Sequence, residues 1–196
     1  THIGYTGWQQ PERQTMPQVQ RVKTQATPKR IVFGGATVAE SRAIAVEAPH
    51  YSRAVGGKGL EWHVIPHLGR TPAAVTAFPQ ARPSTTQQDG VRLEYDVTLS
   101  EAGDLTVQLY LVPTLDVSGD AGLRIGLSLD ERPMQTLTDR LVPAAGGLNS
   151  QAARDWSRAV EDNARVLQAT FANVEPGKRI VKIWRIDDNA VLQKVV

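Results

Sequence analysis

Tyr51, Arg53, Trp62, His67 and Arg70 lie close together in the chain, around two loops. An exposed ring can lie against the C–H face of a pyranose while its polar edge stays wet. A guanidinium fork binds a carboxylate through two parallel hydrogen bonds, so Arg53 and Arg70 add the cation that a uronic acid or acidic side branch requires. These five residues form the candidate ligand-binding set. The competing expectation is that Trp62 and Tyr51 are core rings with internally satisfied polar tips, since large aromatics are buried on average, and that Arg70 pairs with a carboxylate.

Other constellations fit reaction chemistry poorly. Hydrolysis of a glycosidic bond needs two carboxyl groups held across a sugar ring. Glu94 and Asp96 share one strand face, and Glu101 and Asp104 flank a turn, a pattern that reads as a solvated sheet face and a polar hairpin. No serine sits in a Gly-x-Ser-x-Gly elbow, and the chain has no cysteine. Glu61, His63 and His67 have approximate metal-ligand spacing, but Pro66 interrupts the helix that would aim them at one ion, so no metal is expected there. Asp116, Asp120 and Asp187 offer oxygens to a structural calcium, and turn chemistry explains them equally well. No cofactor is expected beyond that calcium.

These residues must be positioned by strands. Val91, Leu93, Tyr95, Val97 and Leu99 alternate with polar residues, as do Leu105, Val107, Leu109 and Leu111, and then Leu123, Ile125, Leu127 and Leu129. A period of two means strands with one apolar face, and the three runs predict an antiparallel meander. Ala43–Ala48, Ala73–Phe78 and Pro133–Leu137 read as further strands, and Ile31–Phe33 as a short one. Gly56, Gly57 and Gly59 mark a loop of unusual backbone angles. Asn149 or Ser150 caps a helix of about three turns with Ala153, Trp156, Val160 and Ala164 on one face. A strand is expected from about Arg165, and Ile180–Ile186 with Ala190–Val196 predicts a closing hairpin around Asp187–Asn189. Trp184 shares a side with Ile180 and Ile186 and is expected in the core. Short strands, one helix and no βαβ alternation predict an all-β, two-sheet antiparallel β-sandwich covering residues 31–196.

Residues 1–30 differ in composition. Glutamines and the prolines Pro11, Pro17 and Pro28 break every apolar periodicity, predicting an extended N-terminal tail or interdomain connector. Ile3, Tyr5, Trp8 and Met16 suit contact with a surface, with Trp8 an interdomain or subunit anchor. The chain opens on Thr1, as a fragment or processed product would. Its 196 residues carry 22 basic and 20 acidic side chains, a balance that argues against a nucleic-acid or membrane surface. No apolar run approaches the roughly 20 residues of a membrane-spanning helix.

The closing stretch Gly177–Asp187, followed by Val191–Val196, resembles the ending of glycoside hydrolase family 115 proteins, the xylan α-1,2-glucuronidases. Val46–Tyr51, Trp62 with Leu68–Thr71, Leu93–Asp96, Pro113–Leu115, and Trp156 with Val160 and Asn163 agree in the same order, as does His2–Pro11. The resemblance implies the carboxy-terminal domain of such an enzyme without its catalytic part. It further implies a jelly-roll, galactose-binding-like sandwich similar to carbohydrate-binding modules, an association with subunit contacts, and a secreted or periplasmic location. Pro49 stands where a second glutamate is common, Arg179 where a histidine is common, and Asp188–Asn189 where Pro-Gly is common. The first departure weakens the case for calcium.

Two functions are consistent with these residues. One is a non-catalytic carbohydrate-binding module that holds xylan or glucuronoxylan for an attached α-glucuronidase. The other is a structural domain that braces the catalytic part, or a homodimer, without binding sugar. Exposed rings favour the first, and exposed aliphatic patches the second.

Overall fold

A computed structural model describes residues 43–114, 122–141 and 149–196. The tail 1–30 with Trp8, the strand expected at Ile31–Phe33, and Asp116 and Asp120 lie outside the described residues. In chain order the elements are β1 (Val46–Glu47), β2 (Arg53–Val55), β3 (Glu61–Pro66), β4 (Ala73–Phe78), β5 (Arg92–Leu99), β6 (Gly103–Leu111), β7 (Leu123–Leu129), β8 (Gln135–Asp139), α1 (Gln151–Asp162), β9 (Arg165–Val174), β10 (Gly177–Arg185) and β11 (Leu192–Val195).

The strands form two antiparallel sheets. One has the order β3-β4-β11-β6-β9, with β1 also paired to β11, and the other the order β2-β5-β10-β7-β8. This is the two-sheet sandwich expected. The order within it differs from the meander: β5 and β7 share a sheet, β10 lies between them, and β6 belongs to the opposite sheet. The closing hairpin is likewise absent, because β10 and β11 lie in different sheets. Alternation reveals that a strand has an apolar face but not which strand lies beside it. β5 and β6, β6 and β7, and β10 and β11 lie in opposite sheets and bury those faces across the sandwich rather than side by side.

Leu93, Leu109, Leu127, Leu129 and Ile183 are fully buried in the resulting core. Burying each such side chain contributes about 2 kcal/mol. Tyr95 is also buried and donates its hydroxyl to the Ala48 carbonyl at 2.7 Å. Burial, reinforced by the neighbouring Tyr51, pushes its phenol well above the usual tyrosine value.

Trp184 is 7% exposed but does not lie between the sheets. It stands opposite Arg92 and Gly126, whereas its neighbour Ile183 stands opposite Leu93 and Leu127 in the core. Alternation therefore puts Trp184 on the outer face of the β2-containing sheet. There the Arg92 guanidinium lies 5.0 Å from its ring centroid, and its indole N–H donates to Ser128 Oγ at 2.9 Å. A Cβ at Gly126 would meet Met134 Sδ at 2.4 Å, showing how closely Met134 approaches the same spot.

The helix is capped by Ser150, whose hydroxyl accepts from the Ala153 N–H at 3.1 Å, and ends at Asn163 with a left-handed φ of 46°. Its buried residues are Ala153 and Ala159, with Trp156 half-buried between them. Val160, expected on the inner face, is 60% exposed. A spacing of three through 153, 156 and 159 describes the packed stripe better than the mixed spacing through 160. Strand β1 is shorter than the predicted Ala43–Ala48, because Pro49 falls in a 3₁₀ turn at Ala48–His50.

The two long edges of the sandwich are closed differently. At the β8/β9 edge, Arg132 donates to the Ala172 and Asn173 carbonyls at 2.7 and 3.0 Å, and Gln135 to Thr170 O at 3.3 Å. Arg165 holds the buried Asp139 at 2.6 and 2.9 Å. These bonds occupy backbone acceptors that an unpaired edge strand would otherwise expose. The Asp139 carboxylate is 2% exposed and depends on its partner. Arg165→Ala is expected to lower the unfolding free energy by about 3 kcal/mol, because a buried charge is left alone. In urea denaturation, Asp139→Ala/Arg165→Ala should lose less than Arg165→Ala.

Candidate functional site

The other long edge, formed by β2 and β3, carries the sequence-predicted residues. These edge strands of the two sheets are joined by a tight turn in which Gly57 and Leu60 exchange backbone hydrogen bonds of 2.9 and 3.1 Å. Its central residues Lys58 and Gly59 have φ of 53° and 74°, the left-handed pair that a type I′ turn requires. Lys58 Nζ reaches Asp89 at 2.7 Å, which fixes the turn against the 3₁₀ segment Gln87–Asp89.

Trp62 is half-buried, packs on the core, and donates its indole N–H to Val55 O at 3.1 Å, tying β3 to β2. Tyr51 is half-buried on the same core. Arg53 extends from β2 with a 66% exposed side chain, 3.9 Å from Glu94. His67 is exposed beyond the end of β3, in a turn closed by its N–H to Pro72 O at 2.8 Å. Arg70 is 62% exposed and 3.7 Å from Asp162 at the end of the helix. Trp62 and Pro66 are four residues apart on β3, about 13 Å, and His67 lies in the turn beyond. The structure therefore places the rings and cations along one edge rather than in one compact cup. Val64, between the two ends, is 41% exposed.

Gln193 organises the far end of this edge. It is 1% exposed, accepts from the Arg70 N–H at 2.7 Å and donates to Asn163 O at 3.0 Å. A Cβ at Gly69, whose φ is 88°, would lie 2.3 Å from Gln193 Oε1, so only glycine fits there. The turn that presents His67 and Arg70 is thereby held against both β11 and the helix terminus.

Two of the carboxylates considered, Glu94 and Asp187, are engaged within the fold. Glu94 is buried and accepts from Arg92 Nε at 2.6 Å. Asp187 accepts from Arg124 at 2.8 and 2.9 Å and from Ser84 Oγ at 2.6 Å, which leaves little room for a cation at its oxygens. Among the described residues, no three His, Asp or Glu side chains form a metal-binding group. Glu47, next to the Pro49 departure, lies 3.7 Å from Lys194. Arg179 donates to the Glu175 and Pro176 carbonyls, a strap within its own turn.

A clamp between the polar segment 81–86 and Arg185–Asp188 ties that segment to the end of β10. Thr85 donates its hydroxyl to Arg185 O at 2.6 Å and its N–H to Ile186 O at 2.7 Å. Asp188 accepts from the Ala81 and Arg82 N–H groups. The buried Arg185 guanidinium reaches Arg82 O at 3.0 Å and lies 3.6 Å from Asp188. The only legible signal was the pairing of hydroxyl-rich Ser84–Thr86 with Asp187–Asp188, distant in sequence.

Burial raises the Asp187 pKa, but the hydrogen bonds from Arg124 and Ser84 outweigh it and hold the carboxyl below the usual range. Asp89 is lowered to about 2, chiefly by its bond from Lys58 and then by the Thr86 N–H. Groups with depressed folded-state values contribute stability above the unfolded carboxylate value of about 4 and lose it as pH falls through the folded value. The urea midpoint is therefore expected to hold steady from pH 7 to about 5 and to drop below about pH 4. Asp187→Asn should start lower at pH 7 and show a shallower acid fall.

The family model for the glycosyl hydrolase family 115 C-terminal domain matches residues 38–196. Among solved structures, the chain is similar to a family GH115 4-O-methyl-α-glucuronidase with specificity for decorated arabinogalactans, at a TM-score of 0.55 and 17% identity. That match covers 83% of this chain and 18% of the enzyme, so the chain spans under a fifth of its length. It is also similar to a family 35 carbohydrate-binding module from Clostridium thermocellum, at a TM-score of 0.49 and 10% identity, over 78% of this chain and 96% of the module. No curated protein matches the chain. The match over residues 38–196 places this chain in the glycosyl hydrolase family 115 C-terminal domain family.

Proposed function

We propose that this domain is a non-catalytic carbohydrate-binding module of a secreted or periplasmic α-glucuronidase, holding xylan or glucuronoxylan for a catalytic part elsewhere in the protein. Membership of the family supplies the enzyme class. The observation that carries the binding reading is the β2/β3 edge, where Arg53 and Arg70 extend into solvent beside half-buried Trp62 and Tyr51 and exposed His67. Among the described residues their exposed guanidinium groups have only long contacts to acids, at 3.9 and 3.7 Å, and so remain available to a uronate carboxylate. An edge strand of about 13 Å from Trp62 to Pro66, with His67 beyond it, suits an extended chain of several sugars rather than one monosaccharide. A module tethered to its enzyme raises the local concentration of polymer without any new catalytic group.

One observation favours the bracing role instead. Trp62 and Tyr51 both pack on the core, and the Trp62 indole N–H is already bonded within the fold. In that reading the edge contacts the catalytic part or a second copy of the chain.

Calorimetric titration separates the two. The domain is expected to bind glucuronic-acid-substituted xylo-oligosaccharides, and Arg53→Ala/Arg70→Ala should weaken that binding about tenfold, the loss of one charge-assisted contact. Trp62→Phe keeps a ring on the core, loses the bond to Val55 O, and should change the response in tryptophan fluorescence. Arabinogalactan and cellulose complete the panel. A folded domain that binds none of these glycans contradicts the module reading and leaves the bracing role.

A further inference from the structure

The outer face of the β2-containing sheet differs in chemistry from the β6/β9 part of the other sheet, which the Lys194–Glu47 ion pair at 3.7 Å borders beside Tyr110. On the β2-containing sheet, the outward residues include Arg53, Arg92, Glu94, Asp96, Lys178 and Lys182, linked by ion pairs such as Arg92–Glu94 at 2.6 Å. On the other sheet, β6 and β9 stand opposite each other in three outward rows: Thr106 with Thr170, Gln108 with Gln168, and Tyr110 with Val166. None of these six side chains is charged. Their neighbours Val107, Leu109 and Ala169 are buried in the core, which fixes the six on the outer face.

This surface is accessible and preorganised. Thr106, Val166, Gln168 and Thr170 are exposed, and Gln108 and Tyr110 are partly so. Thr106 and Thr170 share a 2.9 Å hydrogen bond, Gln108 Nε2 donates to Gln168 Oε1 at 3.2 Å, and the Tyr110 hydroxyl donates to Gln108 Oε1 at 3.4 Å. Each amide has two donors and two acceptor lone pairs, so these few contacts leave hydrogen-bonding capacity directed outward. The underlying ladder runs continuously from Leu105 to Leu111 against Arg165 to Phe171. The free side of β9 is capped by Arg132 and Gln135, so another strand does not readily add there.

We infer that this β6/β9 face is a second binding surface, for the neutral main chain of a polysaccharide. The inference rests on the module reading above and extends it. A neutral glycan presents hydroxyl donors and acceptors along a flat ribbon. It meets here a strip of amides and hydroxyls, with the Tyr110 ring at one end beside the Lys194–Glu47 pair, without having to displace an ion pair within the three rows. An acidic or basic partner would find no opposite charge in these rows. The β2/β3 edge then reads the acidic decoration and the β6/β9 face the undecorated chain.

The test is titration of the full chain with unsubstituted xylo-oligosaccharides and, in parallel, with glucuronic-acid-substituted ones. Gln108→Ala/Gln168→Ala is expected to lose at least tenfold in affinity for the unsubstituted chain, with an unchanged unfolding midpoint. Thr170→Lys, at an exposed position, should weaken the same binding if the double variant fails to fold. Arg53→Ala/Arg70→Ala should bind the unsubstituted chain as the wild type does. If the β6/β9 variants bind unsubstituted chains normally, or the wild type binds only substituted ones, the second surface is overturned while the module reading stands. If the wild type binds neither, both are overturned.

Discussion

Strand β10 is hydrogen-bonded on both sides, to β5 over Gly177–Trp184 and to β7 over Val181–Arg185, and the architecture depends on that double pairing. Its inward residues Val181 and Ile183 lie in the core between the sheets. Its outward residues Lys182 and Trp184 anchor the polar layer with Glu131, Ser128 and Arg92. Its end, at Arg185–Asp188, grips the loop 81–86. A chain segment that joins three environments in this way fixes the other strands around it.

The two long edges then acquire different roles. The β8/β9 edge is occupied by side-chain bonds from Arg132, Gln135 and Arg165, which use up its polar groups within the fold. The β2/β3 edge is closed by a turn and one indole bond, and its cations remain in solvent. Polar groups spent internally stabilise; those left with long contacts are available to a ligand. The same distinction separates the ion-paired outer face of one sheet from the three uncharged β6/β9 rows of the other, which the Lys194–Glu47 pair borders at Tyr110.

Much of this was legible in the residues, and the failures have physical causes. Alternation located β5, β6 and β7 closely, whereas β2 and β3 were not legible as strands, since Pro66 was read as the interruption of a helix and stands at the end of β3. Pairing was not legible, because an apolar face is satisfied equally by a neighbour beside it or a sheet across from it. The meander and the closing hairpin failed for that reason. Trp184 shows a second limit: a ring beside Ile183 in sequence points away from it in a strand and is buried by Arg92 rather than by the core. The β2/β3 edge was legible as a cluster of residue types, but not as an elongated strip. The β6/β9 face needed the register of two strands far apart in sequence, with Thr106 opposite Thr170.

The role proposed for this domain is to hold polymer for chemistry performed elsewhere. The most direct measurement compares the parent enzyme with and without this domain on polymeric glucuronoxylan and on a short substituted xylo-oligosaccharide. A holding module predicts that removal slows turnover of the polymer while the short substrate is hydrolysed at an unchanged rate. Equal loss on both substrates, together with a changed oligomeric state or a lower unfolding temperature of the remainder, would contradict it and identify the domain as a brace.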